Sequence, residues 1–110
     1  MFGLGEIHWQ DGRIFVGNFN NNERNGFGIY IKGKESKAYI GFWHKGVQEH
    51  IGKYLIRSNS KYGLWKNGQL VKWFKYEKDA LSELEVNFKI YKPVFNYVLE
   101  DLIKMYFITK

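Results

Sequence analysis

The stretch Tyr39–Gly52, YIGFWHKGVQEHIG, decides the fold. It reads aromatic-x-Gly-x-Trp, then a turn glycine at Gly46, then Gly52 in a second strand with Tyr54 two residues beyond. Side chains alternate across a strand, so Tyr39, Gly41 and Trp43 share one face. The same frame precedes it as FVGNFNNNERNGFG, Phe15–Gly28, with Phe15, Gly17 and Phe19 leading and Gly26, Gly28 and Tyr30 returning. It follows, weakened, as KYGLWKNG, Lys61–Gly68. Lys61 stands there in place of the leading ring, while Gly63, Trp65 and the Asn67-Gly68 turn are kept. Gly17 to Gly41 is 24 residues and Gly41 to Gly63 is 22; Gly5 to Gly28 is 23 and Gly28 to Gly52 is 24. One unit is therefore a β-hairpin. A lone hairpin is marginal in water, so each copy depends on its neighbours.

Glycine weakens a strand interior, so its fixed alternate positions need a reason. The simplest is that the missing side chain makes room for a ring. Tyr30 and Tyr54 are expected above Gly17 and Gly41, with Phe19, Trp43 and Trp65 filling space near Gly28 and Gly52. The connections are read as polar turns over 20–25 and 44–49, with Gly46 the positive-φ residue of the second.

All twelve glycines lie between Gly3 and Gly68. That composition break divides the chain into a repeat array over 1–76 and a helical tail over 77–110. Charge divides the same way: residues 1–76 hold twelve Lys/Arg and five Asp/Glu, a formal +7, and residues 77–110 hold five Lys and six Asp/Glu, a formal −1. In the tail, Asp79 is expected to cap a short helix over 79–87. Pro93 then suits the first position of a second, amphipathic helix. Its stripe of Phe95, Val98, Leu99, Leu102 and Tyr106 is a candidate partner-binding surface, to be buried either on the array or on a partner.

Chemistry is sparse. There is no cysteine, which removes disulfides, thiolate metal sites and thiol nucleophiles. The Gly-x-Gly pairs lack the Lys-Ser/Thr of a P-loop and the spacing of a dinucleotide fingerprint. His8, His44 and His50 come without a metal-ligand motif. No carboxylate pair or nucleophile–base–orienter trio emerges. No catalytic, cofactor-binding or metal-ligating residue is assigned, and the chain is not expected to be an enzyme. No run approaches a membrane-spanning length and the start does not read as a signal peptide, so the expected location is intracellular. Among the recurring cations, Arg24, Lys34, Lys37 and Lys45 are the candidates for touching an anionic surface.

The linked positions Tyr39-x-Gly41-x-Trp43, Gly46, Gly52 and Tyr54, with their counterparts from Phe15 to Gly28, resemble the membrane occupation and recognition nexus (MORN) repeat. The resemblance covers residues 3–68. Phe15 and Phe19 stand for the usual Tyr and Trp, Asn22 for the turn glycine and His50 for the first glycine of the Gly-x-Gly pair. It implies a mainly β fold: an elongated single antiparallel sheet of stacked MORN-type hairpins, here with a C-terminal helical segment. It also implies scaffolding and attachment, in cytoskeletal, ciliary or membrane-peripheral settings. The expected function is a non-catalytic structural or adaptor subunit that contacts other proteins of a larger assembly. The alternative is a peripheral module binding anionic phospholipid headgroups. Neither a cofactor nor a nucleic acid is expected.

Overall fold

The computed structural model describes residues 3–57, 59–87, 93 and 95. Seven strands form one antiparallel sheet in sequence order: β1 (Gly3–His8), β2 (Arg13–Asn20), β3 (Glu23–Lys32), β4 (Lys37–His44), β5 (Val47–Ile56), β6 (Asn59–Lys66) and β7 (Gln69–Trp73). Helix α1 (Glu77–Asn87) follows. It starts two residues earlier than expected. Asp79 lies inside its first turn rather than capping it, and the Asp79 N–H donates to the Tyr76 carbonyl at 3.1 Å.

The hairpins β2–β3, β4–β5 and β6–β7 close through two-residue turns, tighter than the polar stretches suggested. Asn21-Asn22, Lys45-Gly46 and Asn67-Gly68 all carry positive φ, between 50° and 84°. Two consecutive left-handed residues form the hairpin turn whose twist matches the flanking strands. The three turns are tied in series. The Gly46 N–H donates to the Arg24 carbonyl at 2.9 Å, and one repeat later the Gly68 N–H donates to the Gln48 carbonyl at 2.8 Å. Beside them, the Lys45 N–H donates to Asn25 Oδ1 and the Asn67 N–H to Glu49 Oε2, both at 3.2 Å. The repeat is thus one of hydrogen bonding as well as of sequence.

The glycines carry rings, but different rings from those expected. Each leading aromatic leans along its own strand and across to the next. A Cβ on Gly17 would lie 2.9 Å from Phe15 Cζ, and one on Gly28 would overlap the same Phe15 ring. A Cβ on Gly41 would lie 2.6 Å from Tyr39 Cε2, and one on Gly52 would overlap the Tyr39 hydroxyl. Trp65 covers its own Gly63 at 2.6 Å. Tyr30 and Tyr54 do not sit above Gly17 and Gly41; only Trp43 near Gly28, at 3.2 Å, follows the expected pairing. A ring at the leading position points toward the glycine two residues on, on the same face, and takes that vacancy first.

The opposite face holds a second core. Ile29, Ile31, Ala38, Ile40, Phe42, Ile51 and Leu55 are buried there with Ala80 and Leu84 of α1 and with Phe95. The sheet is therefore covered on one side by the helix. Burial on two faces gives the near-continuous apolar runs Phe27–Ile31 and Ala38–Trp43. Lys53, 6% exposed, is the buried cation of this layer. Its Nζ donates to the Phe95 carbonyl at 2.7 Å and lies 5.3 Å from the Tyr62 ring centroid. Burial lowers its pKa, and the nearby Glu77 charge partly restores it.

The expected elongated shape is not what forms. The molecule measures 36 × 34 × 24 Å. Seven strands spaced about 4.8 Å apart make a sheet about 29 Å wide, close to the roughly 33 Å length of a ten-residue strand. Three and a half hairpins give a square slab; only more repeats would lengthen it.

Gly52→Ala should lower stability by about 1–3 kcal/mol in chemical denaturation, because the added methyl would overlap the Tyr39 ring and force it from its place. In a Tyr39→Leu background most of that cost should vanish, which a double-mutant cycle measures.

Candidate functional site

The side of the sheet away from α1 is the candidate binding face. Phe15, Phe19, Tyr39, Trp43 and Trp65 form its inner layer, each 6% exposed or less. Ile7, Trp9, Tyr30 and Tyr54 are half-buried around them. Alternation places all of these rings on one face, and the ladders align them across strands: Phe15 opposite Tyr30, Tyr30 opposite Tyr39, Tyr39 opposite Tyr54. Edge-to-face contacts link them into one array: Phe15–Trp43 at 5.1 Å, Tyr39–Trp43 at 5.3 Å, Tyr39–Trp65 at 5.0 Å and Trp65–Trp73 at 5.7 Å between centroids. Such pairs contribute roughly 0.5–1.5 kcal/mol each beyond the area they bury.

At the hairpin-turn end this face opens into a groove of about 300 Å³ lined by Arg24, Tyr30, Trp43, Gln48 and Tyr54. The Arg24 guanidinium lies 5.5 Å from the Phe15 centroid and 6.0 Å from that of Trp43, and its Nη2 donates to the Gly46 carbonyl at 3.4 Å. Tyr30 is fixed from the other side. Its hydroxyl accepts from Arg13 Nη1 at 2.9 Å, and Trp9 packs on its ring at 5.8 Å. Asp11 holds that arginine through Oδ2 at 2.8 Å, and the hydrogen bonds from Arg13 keep the carboxyl below the ordinary Asp range.

Under the groove, the Tyr39 hydroxyl is buried without a hydrogen-bond partner. Its side chain is 2% exposed. Burial pushes its pKa well above the usual tyrosine value, the neighbouring Tyr54 adds to the rise, and only the Gln48 side chain opposes it. Tyr62, in the other core, is raised chiefly by burial and next by the charge of Glu77.

The four candidate anion-contacting residues are not brought together. Arg24 and Lys45 lie at the hairpin-turn end, Lys45 within the β4–β5 turn itself. Lys34 and Lys37 lie at the opposite end, in the 3-10 turn Gly33–Glu35 and at the start of β4. Lys37 and Lys45 bracket β4, a separation of about 26 Å.

The partner-binding stripe is redistributed as well. Phe95 is fully buried in its own chain, against Phe27 at 5.9 Å, Phe42 at 6.0 Å and Tyr62 at 6.4 Å. It is a core residue and is not available to a partner. Val98, Leu99, Leu102 and Tyr106 lie outside the described residues. What the sequence reading missed was the second core, whose signal was present: Ile29, Ile31, Ile40 and Leu55 occupy the alternate positions between the rings.

Among the described residues, no group of three or more His, Asp or Glu is placed to hold a metal ion, and no helix is long and apolar enough to cross a membrane. No protein-family model matches the chain, and no curated protein matches it.

Stability should fall as pH rises above 10, the ordinary tyrosine value. Each buried phenol keeps its proton in the fold while the unfolded chain releases it. The slope is up to about 1.4 kcal/mol per pH unit for each tyrosine. Tyr39→Phe should remove one share of that slope. At neutral pH it should stabilise the protein by about 1 kcal/mol, because an unsatisfied buried hydroxyl is deleted. Denaturant titrations of both proteins from pH 7 to 11.5 (roughly the span over which phenols ionise) check both statements, and Lys53, common to both, cancels in the difference.

Proposed function

We propose that this protein is a non-catalytic adaptor whose ring-and-glycine face holds a protein partner within a larger assembly, in the manner expected of MORN-type hairpin repeats. One observation carries the reading. The aliphatic face of the sheet is covered by α1 and Phe95, whereas no described element covers the aromatic face. Rings with polar ends, Tyr30, Trp43 and Tyr54, line a groove bearing one arginine. Aromatic residues and arginine are the side chains enriched where interfaces concentrate their binding energy. Apolar burial over the rings supplies affinity, and the net charge of +6 steers acidic surfaces toward the protein.

The alternative, a peripheral module on anionic phospholipid headgroups, needs its cations on one surface. With Arg24 and Lys45 at one end of the sheet and Lys34 and Lys37 at the other, a flat bilayer meets only one pair in any edge-on orientation. Each exposed cation contributes roughly 1 kcal/mol near an anionic leaflet, so either pair with its rim neighbours, Lys66 at one end and Arg13, Lys32 and Arg57 at the other, would bind weakly and reversibly without an anchor. The adaptor reading is therefore favoured.

Affinity purification of the tagged full chain, with low-salt and high-salt washes, tests it. A fixed set of proteins, near one copy each, should survive high salt. Tyr54→Asp should weaken their retention at least tenfold, about 1.4 kcal/mol, and reversing Lys34 and Lys37 should not. Recovery of the protein alone, with anionic lipid released by the salt wash, would overturn it.

A further inference from the structure

β1 has the backbone of a returning strand but lacks a leading strand among the described residues. Three strands carry a positive-φ residue at the same place in the repeat: Gly3 at 74°, Gly26 at 102° and His50 at 63°. Each is followed two residues later by a glycine, Gly5, Gly28 or Gly52, and after two more by Ile7, Tyr30 or Tyr54.

In β3 and β5 the left-handed residue lies where the ladder to the preceding strand shifts register, opposite the stretches Gly17–Phe19 and Ile40–Phe42. The ladders on the following side, β3 to β4 and β5 to β6, run without a shift. The ladder from β1 to β2 is equally regular. The left-handed residue therefore serves pairing with the preceding strand. Gly3 holds that conformation with no described strand on that side.

Among the described residues, nothing pairs with the outward donors of β1. The Trp9 N–H donates to the Arg13 carbonyl, in the same register that pairs Ile7 with Phe15 and Gly5 with Gly17. Amides alternate in direction along an antiparallel strand, so those of Leu4, Glu6 and His8 point outward. Leu4 is 76% exposed, although Phe27 and Ile51, its counterparts in β3 and β5, pack in the helix-side core.

We propose that the outer edge of β1 accepts one extended strand of the leading type, ring-x-Gly-x-ring, donated by a protein partner and paired antiparallel. The chain holds two templates for it, Phe15–Phe19 against β3 and Tyr39–Trp43 against β5. In both, the first ring covers the glycine of the returning strand, Gly28 or Gly52. The donated ring takes the same place over Gly5, and Leu4, Glu6 and His8 donate to the new strand. Two β1 strands paired with each other would supply no such ring, so a second copy fits less well than a donated leading strand. The proposal names the partner's segment and rests on the adaptor reading for its biological use, but the edge is separate from the ring groove and is tested separately.

The test titrates the isotopically labelled full chain with the capped peptide KAYIGFWH, copied from Lys37–His44, and reads amide shifts and hydrogen exchange. Saturable shifts and slowed exchange are expected at Leu4, Glu6 and His8, not at Gln69–Trp73. Replacing the peptide's glycine by valine, or its rings by alanine, should weaken binding at least about tenfold. Glu6→Pro in the protein should do the same. Its melting temperature should stay near that of the unsubstituted chain, because proline is tolerated where an edge amide faces solvent. If Glu6→Pro unfolds the chain, the peptide variants still decide. Absence of binding, equal binding of the valine peptide, shifts confined to β7, or a peptide-free dimer that protects β1 would each overturn the proposal. A failed titration alongside a Tyr54-dependent complex would remove the edge site alone. Peptide binding at β1 with no retained partner would remove the adaptor reading alone.

Discussion

The structure depends on one close approach: a leading ring laid over two glycines. Phe15 lies over Gly17 and Gly28, and Tyr39 over Gly41 and Gly52. No side chain other than hydrogen leaves space for a ring lying flat on the sheet at these positions. Because each ring spans two strands, it joins leading and returning strands through packing as well as through the ladder. Because Trp43 also reaches Gly28 of the hairpin before it, the contact passes from one hairpin to the next. The vacancy is local but its consequence is cooperative, which is how hairpins too weak to stand alone form a stable sheet.

This packing leaves the two faces with different tasks. Rings seated over glycines and packed edge-to-face make the aromatic layer nearly self-sufficient, so its buried members need no second layer of secondary structure. The aliphatic face cannot do this. Its branched side chains stand away from the sheet and need a cover, which α1 and Phe95 provide. Lys53 ties that cover to the sheet: its ammonium donates to the Phe95 carbonyl and lies against the Tyr62 ring, which offsets the cost of burying it. Among the described residues, the aromatic face and the outer edge of β1 are what remain for partners.

Much of this was legible because period-two alternation and the turn residues are local signals. The ring–glycine frame of Tyr39–Gly52 placed the strands. Asn67-Gly68, Lys45-Gly46 and Asn21-Asn22 placed the turns, with only their tightness misjudged: Glu23 to Asn25 looked like loop, yet these polar residues pair into β3. The glycine–ring partners were read one strand out, since sequence gives the face of a side chain but not the rotamer that leans it along its strand. The charged candidates were misleading for a related reason. Arg24, Lys34, Lys37 and Lys45 recur along the chain, but each pass through a hairpin reverses direction, and residues eight apart end on opposite rims.

By itself, the sequence determined the strands, their order, the turns and the face on which rings meet glycines, because each follows from alternation and from backbone conformations that few residues adopt. Tertiary structure alone decided which ring fills which vacancy, that Phe95 belongs to the core, that Lys53 lies beneath it, and which face and edge no described element covers. Those outcomes depend on contacts between residues distant in sequence, such as Lys53 with Phe95, and no local pattern encodes a partner that only the folded chain brings within reach.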